Sequence, residues 1–204
     1  MTINKIVKDY KEYIESMNNM DLVIIDPPWN YNNQHKQFTS KTVFNKVYDN
    51  VEFLNYMFQN VKSKVILLWI TSPLMGYFFD KKFNINFRDY SFKQILTWAK
   101  TTNNGELYKG SGFWFKNTCE YLILFVNNTA KCINSRVLSF TIEKAIKNSE
   151  TQKPKEFESS ILREFYNASY KNCAYIFSGN FLNYDISSKQ NLDLIDIKQN
   201  EITK

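Results

Sequence analysis

Apolar positions recur along this chain with two different periods. Over residues 3–17, Ile3, Ile6, Val7, Tyr10, Tyr13, Ile14 and Met17 return every three or four residues, the spacing of an amphipathic helix. The pattern then changes, and LVII (22–25) is apolar without interruption, as in a strand covered on both faces. VILLWI (65–70) repeats it, and FKQILTWAK (92–100), EYLILFV (120–126) and CAYIF (173–177) are further strand candidates. Helical spacing returns over 50–61, from Pro73 through Tyr77 and Phe78, and over 154–168, where Pro154 marks a helix start. Strands alternating with helices, several of the strands uniformly apolar, predict an α/β domain: a mostly parallel sheet with helices on both faces.

Two polar stretches interrupt the alternation. NYNNQHKQFTSK (30–41) follows the first strand, and TTNNGELYKGSGFWFKN (101–117) holds three of the chain's five glycines. Beyond Asp185 the sequence turns polar and charged, so a single domain over 1–185 with a tail over 186–204 is expected. Ligands of such sheets sit beyond the carboxyl ends of the strands. DPPW after LVII, SPLM after VILLWIT and SGN after CAYIF occupy those ends.

Composition narrows the chemistry. In 204 residues, 26 Lys and Arg against 20 Asp and Glu give a net charge of +6, which suits a polyanionic partner without requiring one. Cys119, Cys132 and Cys173 form no CxxC pair, which argues against a disulfide framework or a zinc site and fits a reducing compartment. With His35 as the single histidine, histidine-based triads and multi-histidine metal centres are disfavoured, and no metal is expected. The first nineteen residues carry charges throughout, unlike a signal peptide, and no apolar run approaches the ~18 residues that span a bilayer. A cytoplasmic protein without a membrane partner is expected.

DPPW (26–29) carries the most specific chemistry. Proline fixes φ and restricts the residue before it, so Asp26, Pro27 and Pro28 hold an extended, inflexible path. Neither proline donates a backbone hydrogen bond. A carboxylate and one or two carbonyls are therefore held as acceptors beside the flat ring of Trp29. A planar ligand with an exocyclic amine, adenine or cytosine, suits that arrangement, because the ring stacks while the amine hydrogens are accepted. The alternative is a turn after a strand with Trp29 plugging the core. Chance would produce DPPW in about one chain of this length in a few thousand, and its place at the end of an apolar strand favours function.

A strand ending in DPPW resembles the catalytic motif of amino-methyltransferases that use S-adenosylmethionine, and more specifically the MT-A70 family of adenine-N6 methyltransferases with its bacterial and phage DNA-modifying relatives. VILLWIT is similar to the family's next strand, and ILTWAKT to its strand ending in Trp-x-Lys, here Trp98 and Lys100. GFWFKNTCEYLILFV is similar to the segment that places Lys116, Asn117 and Glu120 before a strand, and TQKPKEFESSILREFY to the Lys-Pro element opening a helix, here Lys153 and Pro154. The resemblance covers residues 21–180. It implies a Rossmann-like methyltransferase sheet with the catalytic motif ahead of the cofactor motif. It implies that Asp26 and the Pro27 carbonyl, on the path stiffened by Pro28, accept from the adenine amine while Trp29 and Tyr31 stack on the base. Trp98, Lys100, Asn117 and Glu120 are expected around the substrate. Asp26, Lys153, Phe177, Ser178, Gly179 and Asn180 are expected around S-adenosylmethionine, with Lys153 on its carboxylate. DNA is favoured over RNA by the TQKP form and by the compact length, and cytosine N4 stays chemically close. A duplex base must be flipped out to be reached, which a stacking pocket helps.

One position departs from the family pattern. The acid expected two residues before Phe177 is Tyr175, which can make one hydrogen bond as donor and accept others but gives no charged bidentate grip on a diol. A nucleic-acid-binding subunit without its own activity is therefore the second reading, and so small a methyltransferase is expected to work as a homodimer or with a partner subunit. The lysines over 36–46, with Phe38 and Phe44 among them, either track a phosphate backbone and stack on bases or form a solvated loop, and the first is slightly favoured. A dinucleotide oxidoreductase is opposed by the absence of any GxGxxG.

Overall fold

LVII lies inside strand β1 (Met20–Asp26), whose residues 21–25 are all buried. A strand with apolar side chains on both faces needs cover on both, and the chain supplies it. The computed structural model describes residues 10–27, 29–31, 49–110, 112, 114–130, 142–146, 153, 155–167, 169–177 and 181–185. After helix α1 (Tyr10–Ser16) and β1 come α2 (Asn50–Asn60), β2 (Ser63–Ile70), a 3-10 turn over Ser72–Leu74 and the short α3 (Gly76–Phe79). The long β3 (Tyr90–Thr101) and β4 (Cys119–Asn127) follow, then β5 (Ile142–Ile146), α4 (Lys155–Asn167), β6 (Asn172–Phe177) and β7 (Phe181–Asp185).

The strands form one seven-stranded sheet in the order β5-β3-β4-β2-β1-β6-β7. β1 pairs in parallel with β2 and β6; β4 is antiparallel to both β2 and β3, β5 is parallel to β3, and β7 is antiparallel to β6. Five strands (β1, β2, β3, β5, β6) therefore point one way and two (β4, β7) are reversed. The strand patterns predict β1, β2, β3, β4 and β6. They do not single out β5, IEKAI, or β7, FLNYD, which lie at the two sheet edges and mix polar with apolar residues. The helix expected from Pro73 through Phe78 is split into the 3-10 turn and α3.

Side chains alternate along each strand, and the alternation divides the core in two. Val23, Ile25, Ile66, Leu68 and Ile70 face Tyr10, Ile14 and Met17 of the α1 region and Phe53, Leu54, Met57 and Phe58 of α2. Leu22, Ile24, Val65, Leu67, Trp69, Leu96, Trp98 and Leu122 face Ile161, Leu162 and Phe165 of α4. Helix α2 starts at Asp49, whose side chain accepts from the Glu52 N–H at 2.8 Å, an N-cap of the expected type. Phe58 is fully buried, and its truncation to Ala would cost about 3–5 kcal/mol. Among the described residues no helix is long and apolar enough to cross a membrane. The 36–46 lysine stretch, His35, Cys132 and the 186–204 tail lie outside the described residues.

A candidate active site at the carboxyl edge of the sheet

The alternation that packs α4 against the sheet also carries a second set of side chains to its rim. Asp26 follows Ile24, Lys100 follows Trp98 and Glu120 precedes Leu122, each two positions from a residue packed beneath α4, so all three share that face. Glu120 stands near the start of its strand and Asp26 at the end of another. They meet because β4 is reversed, which puts its beginning at the edge where β1, β2 and β3 end. Lys153, two residues ahead of α4, completes the group.

The four charges form an alternating chain. Lys100 Nζ lies 2.5 Å from Glu120 Oε1, Lys153 Nζ lies 2.9 Å from Glu120 Oε2, and Lys153 Nζ lies 3.1 Å from Asp26 Oδ2. Two buried indoles form the floor, with Lys153 Nζ 5.1 Å from the Trp69 ring and Lys100 Nζ 5.2 Å from the Trp98 ring. The rings themselves meet edge to face at 6.3 Å. Two acids and two bases cancel, which is what makes so much buried charge tolerable.

Cancellation is uneven along the chain. Burial pushes the Asp26 carboxyl above its ordinary value, Lys153 offsets this only in part, and the Glu120 charge adds to it. Burial also works against ionised Glu120, but Lys153 and Lys100 together hold it below the usual carboxylate range. Lys153 is held above the ordinary lysine value because its two carboxylates outweigh its own burial. An ammonium has three N–H donors. Lys153 spends two on Asp26 and Glu120, and the third is open among the described residues. Asp26 Oδ1 likewise has no partner among the described residues.

The loop after Asp26 is pinned from two sides. The Trp29 backbone N–H donates to the Pro27 carbonyl at 2.8 Å, and the indole Nε1–H donates to the Trp69 carbonyl at 2.9 Å, locking the ring against the end of β2. Asn50, buried at the first position of α2, grips Asn30 on both backbone groups: its Oδ1 accepts from the Asn30 N–H at 3.0 Å and its Nδ2 donates to the Asn30 carbonyl at 2.6 Å. A further bond joins Asn50 Nδ2 to the Tyr77 hydroxyl at 3.1 Å. Tyr31, 40% exposed, places its hydroxyl 3.0 Å from Thr71 Oγ1, and burial of that hydroxyl pushes its pKa up.

The structure thus gathers Asp26, Lys100, Glu120 and Lys153 into one cluster, with Trp29 and Tyr31 on the adjoining loop. Lys153 meets Asp26 and Glu120 directly, which its expected role on a cofactor carboxylate did not include. The Pro27 carbonyl, expected to be open, is engaged by Trp29. Trp98 requires correction: at 1% exposure it offers no ring face to a substrate and serves as the floor under Lys100. Asn117 lies outside the cluster, its backbone paired with Gly110. Tyr175 is fully buried in the core beneath α4 and presents nothing to a ligand at the rim. The backbone of Phe177 is paired with that of Asp26, so β6 ends beside the carboxylate. Pro28, Ser178, Gly179 and Asn180 lie outside the described residues. Sequence reading missed Asn50, Trp69 and Thr71. Asn50 carried one signal, its place just after a capping Asp, and that signal announces a helix and not a clamp.

Comparison with known proteins follows from this geometry. The MT-A70 family model matches residues 20–185. Among solved structures, the crystal structure of M1.HpyAVI is similar at 16% identity and a TM-score of 0.45, over 78% of this chain and 69% of that one. The crystal structure of an M1.HpyAVI–SAM complex is similar at 16% identity and a TM-score of 0.47, over 75% of this chain and 68% of that one. No curated protein matches the chain.

Proposed function

The chain belongs to the MT-A70 family and uses S-adenosylmethionine, and on that premise we propose that it methylates the exocyclic N6 amine of adenine in DNA. Its sheet, with the DPPW strand β1 ahead of β6 in the chain and beside it in space, is the Rossmann-like methyltransferase fold with the catalytic motif first. The observation that carries the reading is Asp26: a largely buried carboxylate at the end of a central strand, its side chain 15% exposed, with one oxygen on Lys153 and the other without a partner among the described residues, next to an indole fixed in place.

Those residues fit the charged end of the cofactor, since an amino-acid moiety needs an acid for its ammonium and a base for its carboxylate. Lys153 offers the base through its third N–H, unpaired among the described residues, and Asp26 Oδ2 offers the acid, which leaves Oδ1 for the substrate. When bound, the cofactor supplies an electrophilic sulfonium methyl. The amine it must meet is a poor nucleophile, its lone pair delocalised into the ring. Asp26 Oδ1 accepts one amine hydrogen, which turns the lone pair out of conjugation and aims it. As the N–C bond forms and the methyl–sulfur bond breaks, its electron pair staying on sulfur as a neutral thioether, positive charge grows on the amine, and the Asp26 carboxylate would stabilise it and take up the departing proton. A carboxyl whose pKa is raised by burial is the more basic for that step. Trp29 stacks on the base, and Tyr31 borders it. DNA is favoured by Thr151, Gln152, Lys153 and Pro154, the TQKP form that resembles bacterial DNA-modifying relatives.

The test is methyl transfer from labelled S-adenosylmethionine to matched DNA and RNA oligonucleotides, with adenine-free controls, for the native chain and Asp26→Asn. Label on adenine in DNA, lost in Asp26→Asn, is the expected result. Label on RNA alone would replace the substrate, label on cytosine would replace the base, and cofactor binding without any transfer would mark a subunit that needs a partner.

A further inference from the structure

The glycine-bearing stretch between Lys100 and Glu120 is built as a braced ribbon. The Lys100 N–H donates to the Thr118 carbonyl at 2.9 Å, the Tyr108 N–H to the Lys100 carbonyl at 2.8 Å and the Thr102 N–H to the Glu106 carbonyl at 2.8 Å. Further out, Gly110 and Asn117 exchange both backbone bonds, at 3.1 and 3.3 Å. The ribbon depends on its glycines. Gly105 turns with a φ of +80°, a region that disfavours side chains. A Cβ on Gly110 would lie 2.6 Å from the Asn117 carbonyl oxygen, and one on Gly112 would lie 1.9 Å from the Phe115 carbonyl oxygen. The tip is folded too tightly for either.

What this bracing holds out is a pair of rings. Trp114 is 92% exposed and Phe115 is 89% exposed, whereas Trp69 and Trp98 are fully buried. Adjacent large aromatics left in water mark an interaction site. Exposed Lys109 and Lys116 flank them. The ribbon leaves the sheet from the end of β3, the same edge at which β1 ends in Asp26, and its two stems run directly into Lys100 and Glu120 of the charged cluster.

We infer that Trp114 and Phe115 are a stacking platform for unpaired nucleobases that flank the target base, an inference that rests on the methyltransferase reading and extends it to how the strand is held. Flat rings beside cations are the chemistry of single-strand binding, in which rings take the bases and lysines follow the phosphates. A base drawn into a pocket leaves its neighbours unstacked, and rings on a stiff ribbon at the pocket's edge replace the lost stacking. An apolar protein surface would also cover two rings, but the flanking lysines and the net charge of +6 favour a polyanion.

The experiment titrates the full chain with single-stranded adenine-containing oligonucleotides, in separate DNA and RNA arms, reading tryptophan fluorescence and the anisotropy of a labelled strand. Calorimetric binding of S-adenosylmethionine is measured alongside. Trp114→Ala and Phe115→Ala should each weaken oligonucleotide binding about tenfold or more, the usual cost of losing one stacked base, with cofactor affinity unchanged. Trp114→Phe should restore most of the binding while removing most of the fluorescence quench. Native-like oligonucleotide affinity in both alanine variants overturns the inference. So does a native dimer that Trp114→Ala splits without loss of affinity per protomer, since the rings would then be a protein contact. A native chain that binds no cofactor but loses oligonucleotide affinity in Trp114→Ala sinks the catalytic reading and leaves the platform standing.

Discussion

Strand β1 carries one carboxylate next to its first residue and another at its end, and the two acids are shifted in opposite directions. Asp21 Oδ2 accepts backbone N–H groups of Lys171 at 2.8 Å and Asn172 at 3.1 Å, and Oδ1 lies 2.6 Å from Lys64 Nζ. Burial pushes its pKa up, but Lys64 and the two N–H groups together bring it below the ordinary value. Asp26, on the same strand, meets only the Lys153 ammonium among the described residues, at 3.1 Å, and burial wins. Heavier burial, the nearby Glu120 charge and fewer donors set the sign at Asp26, whereas Lys64 and two N–H groups set it at Asp21. A carboxylate with both oxygens bonded holds structure together, here the start of β6 to the start of β1. A buried one left half satisfied is costly for the fold, and such groups are kept where a ligand completes them.

The sharpest way to break that comparison is to remove each acid's charge without changing its shape. Asp26→Asn should lower methyl transfer to adenine by about a thousandfold, the scale of losing one group aimed at developing charge, with the melting temperature nearly unchanged. Equal rates in Asp26→Asn and native protein would end the functional reading of this residue. Next in size is Lys153→Met, which strands the Asp26 carboxylate and leaves Glu120 with Lys100 alone; urea unfolding should show a loss of about 3–5 kcal/mol, and adding Asp26→Asn should recover part of it. Asp21→Asn should cost about 1–3 kcal/mol in the same assay, through its weakened bonds to Lys171, Asn172 and Lys64, while the rate per folded molecule stays native. A rate loss in Asp21→Asn matching that of Asp26→Asn would mean the two ends of β1 are not distinct.

The smallest effect is a shift along the pH axis. Asp26 must be ionised to accept the amine, and its folded pKa is raised, so activity should rise with pH along a limb displaced above the ordinary carboxylate range of about 4. Linkage gives stability the opposite trend for this group, since ionising it costs stability as pH rises from its unfolded to its folded pKa. Glu120, shifted down, contributes stability above its unfolded pKa and loses it as pH falls through the folded one. An acid limb in the ordinary carboxylate range would show that burial does not govern Asp26.

Much of this was legible in one dimension, and the boundary is physical. A strand buried on both faces announces itself by uninterrupted apolar residues, and DPPW places its acid, its stiff path and its ring within four neighbouring positions. Elements and catalytic loop are local properties, so β1, β2, α2, α4 and the Asp26–Trp29 pair were all readable. Edge strands β5 and β7 were not, because strands with mixed side chains are recruited by a neighbour's unpaired backbone and not by their own pattern. Nor was the burial of Trp98 and Tyr175, since alternation says which residues share a face and not which face a helix will cover. The charged cluster is the clearest case. Glu120 begins a strand and Asp26 ends one, and only the reversal of β4 within the sheet brings them to the same edge, where Lys153 bonds to both. Sequence determined which residues the candidate site is built from; strand direction, which no local pattern encodes, decided that they meet.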